Sequence, residues 1–223
     1  MKKAVVLLSG GMDSAVALYI ARKKYDCFCL TFDYGQRHKS ELDAAAKIAR
    51  LAGAKHRVLK ISFPWKGSSL LDKKIKVPIG RSVDIIKKQV PSTYVPARNI
   101  IFLSFATSCA EVIKAETIFI GAHTQDYSGY PDCRPDFFKV FQKVIDKGTK
   151  TGTDKKSIKI EIPLLKYNKE KILKIGQKLK VPFEFTWSCY KGGKNPCGSC
   201  DSCLFRKKAF EKLGIKDPAS FKK

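Results

Sequence analysis

The chain has 223 residues, 44 of them Lys or Arg against 20 Asp or Glu, for a formal charge of +24. That length suits one domain with a real core and at most a small appendage, and 44% apolar residues fit a soluble globular protein. No run approaches the ~18 apolar residues that a membrane span requires. The positive balance points to anionic partners such as nucleotides, phosphate groups or RNA, although most of the lysines are scattered, as on a solvated surface.

The start, Met1-Lys2-Lys3 and then Ala4 to Leu8, is basic and then apolar, like a secretory leader. Its apolar run is short and breaks at Ser9-Gly10-Gly11, so 4–8 is predicted as a strand buried on both faces. A helix is predicted over 13–24, with Val16, Tyr19 and Ile20 on one side, and a second strand over 27–32. Ser40 opens a helix whose face carries Leu42, Ala45, Ala46 and Ala49 and which stops at Gly53. A third strand follows over 57–61. Strands alternating with helices of this length predict right-handed βαβ units and a doubly wound, mostly parallel α/β sheet.

Residues 63–97 break the rhythm, with Pro64, Pro78, Pro91 and Pro96 and no clear period. They are predicted to run over the C-terminal edge of the sheet, where α/β proteins place ligands. A helix over 99–114 and a strand over 117–120 come next. Then follow a helix over 134–146, a mobile loop over 147–157, a strand over 158–162 and a helix over 168–179. After Pro182 the composition shifts to Cys and Gly. The expected division is an α/β domain over 1–185, including the excursion, and a cysteine-bearing segment over 186–223.

The first strand ends in Ser9-Gly10-Gly11-Met12-Asp13-Ser14, and a helix follows directly. Two glycines allow a tight turn and close approach to a ligand, and the first helical amides, with the helix dipole, form an anion site. Ser9 and Ser14 can donate hydroxyl hydrogen bonds to phosphate oxygens; Asp13 can hold Mg²⁺ or cap the helix. Most Gly-Gly pairs before helices are plain turns, but the position after a buried first strand favours a phosphate site. No Gly-Lys-Ser/Thr follows, so this is not a Walker loop. It resembles the SGGxDS loop of the N-type ATP pyrophosphatases, which implies an adenine nucleotide alpha hydrolase-like, Rossmann-related fold and a grip on pyrophosphate.

Three further segments carry binding chemistry. Pro91-Ser92-Thr93-Tyr94-Val95-Pro96-Ala97-Arg98-Asn99 puts Arg98 and Asn99 at a helix start, where they can meet an anion, unless this is an ordinary proline-bounded loop. Residues 121–134 combine Asp126, Tyr127, Tyr130, Asp132 and Arg134 at the ligand-binding edge. A guanine-like heterocycle needs such a set: carboxylates for its N–H and amine, a cation for its ring oxygen, and tyrosine to stack. Near the end, Cys189, Cys197, Cys200 and Cys203 form the pattern C-x₇-C-x₂-C-x₂-C. With no export signal expected, four thiolates suit Zn²⁺, and iron–sulfur clusters use four cysteines as well.

In this order, the SGGxDS loop, the PSTYVPARN stretch, the GYPDCR turn and the terminal cysteines resemble the 7-cyano-7-deazaguanine synthase family along essentially the whole chain. The resemblance implies an ATP-dependent carbon–nitrogen ligase that converts 7-carboxy-7-deazaguanine and ammonium to the 7-cyano product, a precursor of queuosine and, in archaea, archaeosine. It assigns ATP to Leu8, Ser9, Gly10, Gly11, Met12, Asp13, Ser14, Ala15, Val16, Ala17 and Leu18, and zinc to the four cysteines. Lys169 stands where the superfamily often has a phosphate-contacting lysine; it is otherwise a surface residue at a helix start. Asp13, Ser14 and Lys169 are thus the expected catalytic set, with Mg²⁺ between the phosphates. A homodimer and a cytoplasmic location are expected, with no membrane and no stable nucleic-acid complex. Free ammonia is the expected nitrogen source, since no amidotransferase sequence is seen. A tRNA-thiolating ATP pyrophosphatase is the rival enzyme. It would need a sulfur-relay cysteine and an RNA-binding module, neither of which is found. A non-catalytic zinc-ribbon nucleic-acid binder would leave the phosphate loop unexplained.

Overall fold

The computed structural model describes residues 1–37, 39–81, 90–123 and 129–219. Among them is a parallel sheet in the order β3-β2-β1-β4-β5, formed by β1 (Lys2–Leu7), β2 (Tyr25–Asp33), β3 (Lys55–Lys60), β4 (Thr117–Phe119) and β5 (Lys159–Glu161). The expected parallel α/β architecture is therefore present. β1 is central, and its Ala4, Val5 and Val6 are fully buried. Successive side chains on a strand point to opposite faces. Ala4, Val6 and Leu8 accordingly enter one apolar layer, and Val5 and Leu7 enter the other. Such two-sided burial is why the strand reads as an unbroken apolar run.

The first layer is covered by α1 (Met12–Ala21), α2 (Ser40–Leu51), α6 (Lys169–Lys178) and α7 (Asp201–Lys212), and the second by α3 (Arg98–Ile113) and α4 (Pro135–Gly148). Helical spacing decides what each buries. α2 turns in Ala44, Ala45, Ile48 and Ala49, and α4 turns in Phe138, Phe141 and Ile145. Proline at the first position of α4 sets φ without losing a helical hydrogen bond. α6 starts at Asn168, whose side chain accepts from the Lys171 amide at 2.9 Å.

Segment 147–157 differs from the expected loop. α4 continues to Gly148, and a short helix, α5 (Lys150–Thr153), follows. Polar caps hold it. Thr149 Oγ1 accepts from the Gly152 amide at 3.0 Å, the Thr151 amide donates to Glu111 Oε1 at 3.0 Å, and Ser157 Oγ donates to Asp146. Order built on such bonds has no apolar period, so it leaves no trace in a hydrophobicity pattern.

The described parts of the excursion are bonded to one another and to the segment that follows β2. The Ser69 amide donates to Ser92 O at 2.7 Å, the Arg37 amide donates to Leu70 O at 3.1 Å, and Ser68, Ser69, Thr93 and Val95 are buried. At the C-terminal end, Ala209 and Phe210 of α7 lie in the same apolar layer as α1 and α6. Buried Arg206 binds Asp217 at 2.8 Å through both Nε and Nη2, and reaches Thr186 and Phe183 O as well. No helix among the described residues is long and apolar enough to cross a membrane.

Candidate active site

β2 and β3 extend the sheet to one side of β1, and β4 and β5 extend it to the other, so the strand order reverses between β1 and β4. Ligands of open α/β sheets bind in the crevice at such a point. Two glycines shape the floor. Gly10 has φ +79, a region that side chains avoid, and a Cβ there would stand 2.3 Å from Glu41 O. A Cβ on Gly121, just past β4, would stand 2.8 Å from the Ser14 amide nitrogen. The end of β4 can therefore pass directly beneath the first turn of α1.

The loop between β1 and α1 is braced by its serines. Ser14 Oγ donates to Gly11 O at 3.0 Å and accepts from the Ser9 amide at 3.2 Å; Ser9 Oγ accepts from the Gly11 amide at 3.3 Å. Gly11 at the N-cap has no side-chain cap. The first amides of α1 lack helical acceptors, as in every α-helix, and are available to an anion.

Asp13 lies at the centre of a three-residue contact. Lys169 Nζ is 2.5 Å and His123 Nε2 is 3.5 Å from its Oδ2. Burial opposes ionisation of Asp13, but the charge of Lys169 and the His123 contact outweigh it and hold the carboxyl well below the usual carboxylate range. The other oxygen, Oδ1, is buried and has no hydrogen-bond partner among the described residues. A buried carboxylate oxygen left without a protein partner fits a hard divalent cation such as Mg²⁺.

From this floor a cavity of ≈ 230 Å³ opens, lined by Ser9, Asp13, Ser14 and Lys169. Tyr34, Leu70, Arg98, Phe102 and Tyr130 line it as well. The rings of Phe32 and Phe102 stack at 3.9 Å and 4°. Burial disfavours the charge on Arg98, yet Tyr34, Tyr130, Asp132 and Cys133 around it raise its pKa above the usual arginine range. It stays a cation next to flat apolar surface. Burial also raises the pKa of Tyr34, with Arg98 opposing. Tyr130 Oη and Thr93 Oγ1 are 2.8 Å apart.

Not all predicted residues meet here. Leu8, Ser9, Gly11, Met12, Asp13, Ser14, Lys169, Arg98, Asn99 and Tyr130 line the cavity. Asp132 and Arg134 do not line it. Asp132 Oδ2 instead accepts from the Asn99 amide at 2.9 Å, at the start of α3, and its backbone oxygen accepts from Asn99 Nδ2 at 3.1 Å. Arg134 is exposed at the start of α4. Asp126 and Tyr127 lie outside the described residues. Sequence reasoning passed over Tyr34, Gln36 and Phe102 in the cavity and His123 behind it. Tyr34 and Gln36 follow β2 at the edge that holds ligands, and that position was the available signal.

The four C-terminal cysteines converge, with all Sγ atoms within 4.8 Å of one another. Four thiolates around one Zn²⁺ stand about 3.8 Å apart, given ~2.3 Å Zn–S bonds in a tetrahedron. The Cys197 amide donates to Cys189 Sγ at 3.3 Å, and the Cys200 amide donates to Cys197 Sγ at 3.4 Å. Such bonds orient and stabilise thiolates, so the set fits a tetrahedral metal. The cluster also touches the cavity wall. The Trp187 amide donates to Gly10 O at 2.9 Å, Trp187 Nε1 donates to Cys189 O at 3.0 Å, and Trp187, Ser188 and Tyr190 line the cavity. On its other side, Ile79 bridges to Cys200, the Gly80 amide donates to Ser199 O at 3.0 Å, and Arg81 pairs with Asp201.

A parallel sheet in this order, with helices on both faces and a glycine-bearing loop at its switch point, is an α/β fold of the adenine nucleotide alpha hydrolase-like kind. An NMN synthetase from Francisella tularensis shares the fold, with a TM-score of 0.51 and 15% identity over 96% of this chain and 78% of its own. The model of the family described as Queuosine biosynthesis protein QueC matches residues 3–214, and the chain belongs to that family. Among its relatives, a 7-cyano-7-deazaguanine synthase from Trichodesmium erythraeum is 48% identical over 97% of this chain and 99% of its own length. One from Desulfitobacterium hafniense is 50% identical over 99% and 94%.

Proposed function

We propose that this chain is an ATP-dependent carbon–nitrogen ligase that converts 7-carboxy-7-deazaguanine and ammonia to 7-cyano-7-deazaguanine for queuosine or archaeosine synthesis. Family membership supports the reaction. The observation that supports the assignment of parts is one cavity lined both by the loop with Asp13 and Lys169 and by aromatic side chains with Arg98. The first set suits a polyphosphate and the second a flat heterocycle with an acceptor oxygen.

The chemistry balances in two activations. The substrate carboxylate attacks the α-phosphorus of ATP and pyrophosphate leaves; ammonia then displaces AMP, losing a proton, to give the amide. The amide oxygen attacks a second ATP, again releasing pyrophosphate. Loss of AMP and of the nitrogen-bound protons leaves the nitrile. The protein brings two anions together and stabilises the charge on the departing pyrophosphate. The loop amides and the hydroxyls of Ser9 and Ser14 donate to that group, and Lys169 Nζ offsets its charge. Asp13 Oδ1 is the ligand offered to Mg²⁺, which when bound neutralises phosphate charge. Arg98 meets the ring oxygen or the carboxylate, with Asn99 next to it, while Tyr34, Phe102 and Tyr130 form the walls against the ring. Cys189, Cys197, Cys200 and Cys203 hold Zn²⁺ in a structural role. The protein acts in the cytoplasm as a homodimer, without a stable nucleic-acid complex.

Mass spectrometry of the products from 7-carboxy-7-deazaguanine, ATP and ammonium tests this. The amide and then the nitrile should appear without any tRNA. Unchanged acid, or turnover only when tRNA is supplied, would replace this reading with the tRNA-thiolating one.

A further inference from the structure

We infer that His123 is a positioning residue: it fixes the Asp13 carboxylate so that Oδ1 faces the phosphate loop. The observations are geometric. His123 is 1% exposed and does not line the cavity, so it reaches the reacting atoms only through another group. Its Nε2 lies 3.5 Å from Asp13 Oδ2, the oxygen that also takes Lys169 Nζ at 2.5 Å. Both partners thus sit on one oxygen, and the other is buried without a partner. A lysine ammonium on a flexible stem is a point charge and does not fix the plane of a carboxylate. A buried ring has lost its rotamer freedom on folding and can. Gly121 makes the approach possible. Because β4 passes beneath the Ser14 amide with no Cβ between them, the chain two residues later delivers His123 to Asp13.

The arrangement matches how outer partners orient metal-binding carboxylates and histidines. It rests on the proposed role of Asp13 at the phosphates. His123 therefore sets where the ATP phosphates and their cation sit, and leaves the heterocycle end alone.

The test compares zinc-loaded wild type with His123→Gln, which keeps a donor near the Nε2 position, and His123→Leu, which fills similar space without one. Calorimetric titration with Mg·ATP is run beside steady-state turnover. His123→Leu should bind Mg·ATP about ten- to a hundredfold more weakly and lose kcat in similar proportion, the range expected when a buried charged group loses a polar neighbour. Its KM for 7-carboxy-7-deazaguanine should stay within about twofold, and His123→Gln should recover most of the loss. Wild-type binding and kcat in His123→Leu, or equal impairment of the two variants, would overturn the inference. If the wild type forms no nitrile, the proposed reaction fails, but the Mg·ATP titrations still decide the role of His123.

Discussion

At the scale of single residues, Asp13 combines a local role with long-range partners. Lys169 reaches it across 156 positions of sequence, and His123 comes from the end of β4. Asp13→Ala or Ser14→Ala should abolish turnover while leaving the fold intact, since both serve the loop; circular dichroism with an activity assay checks this. The depressed Asp13 pKa has a consequence in acid. A carboxyl whose folded pKa lies below its unfolded value of ~3.9 contributes stability above that value and loses it as pH falls towards the folded pKa. Denaturant titrations below about pH 4 should therefore show a shallower loss of stability in Asp13→Asn than in wild type. Arg98 lines the cavity and Asp132 does not, so the two are proposed to act differently. Arg98→Lys loses the planar fork and should lower kcat/KM for the deazaguanine about ten- to a hundredfold with Mg·ATP affinity kept. Asp132→Asn weakens the bond to the Asn99 amide and should lower stability by about 1 kcal/mol with substrate preference unchanged. A change in preference with unaltered melting would return Asp132 to the substrate.

At the scale of elements, the cysteine cluster is the link between the β1–α1 loop and the excursion. Trp187 bonds to Gly10 O on one side, and residues 79–81 bond to residues 199–201 on the other. Metal at the four cysteines should hold both in place, because binding to a site that forms only on folding adds to folding stability. Cys200→Ser should abolish zinc in elemental analysis and lower Tm. Through Trp187 it should weaken Mg·ATP binding as well. Full zinc occupancy with unchanged melting would remove Cys200 as a ligand. Loss of zinc with full ATP affinity would remove the link through Trp187.

At the scale of the whole molecule, an excess of 24 positive charges, formally counted, surrounds a cavity proposed for two anions. Such a field raises the local concentration of nucleotides and is screened by salt. Apparent KM for ATP should therefore rise with ionic strength, while Tm changes little. Light scattering should give the mass of two chains; a single-chain mass at micromolar concentration would remove the proposed homodimer.

The sequence alone determined the strands, the glycine turn between β1 and α1, and the cysteine set, because each is written in neighbouring residues. Apolar runs mark buried strands, two glycines mark a tight turn, and four cysteines within 15 positions mark a tetrahedral site. It also placed Lys169 among the candidates, though only by resemblance. The tertiary structure decided which distant groups meet. His123 and Phe102 carry no local signature of a site, and Tyr34 is marked only by its place just past β2. Asp132, expected from sequence at the substrate, accepts from the Asn99 amide at the start of α3. The short helix at Lys150–Thr153 was hidden because hydrogen-bonded caps hold it without an apolar stripe. The reason is common to all of these. Strand order β3-β2-β1-β4-β5 follows from packing two apolar layers on one sheet. Only that packing brings the ends of β1, β2 and β4, and the start of α6, around one cavity.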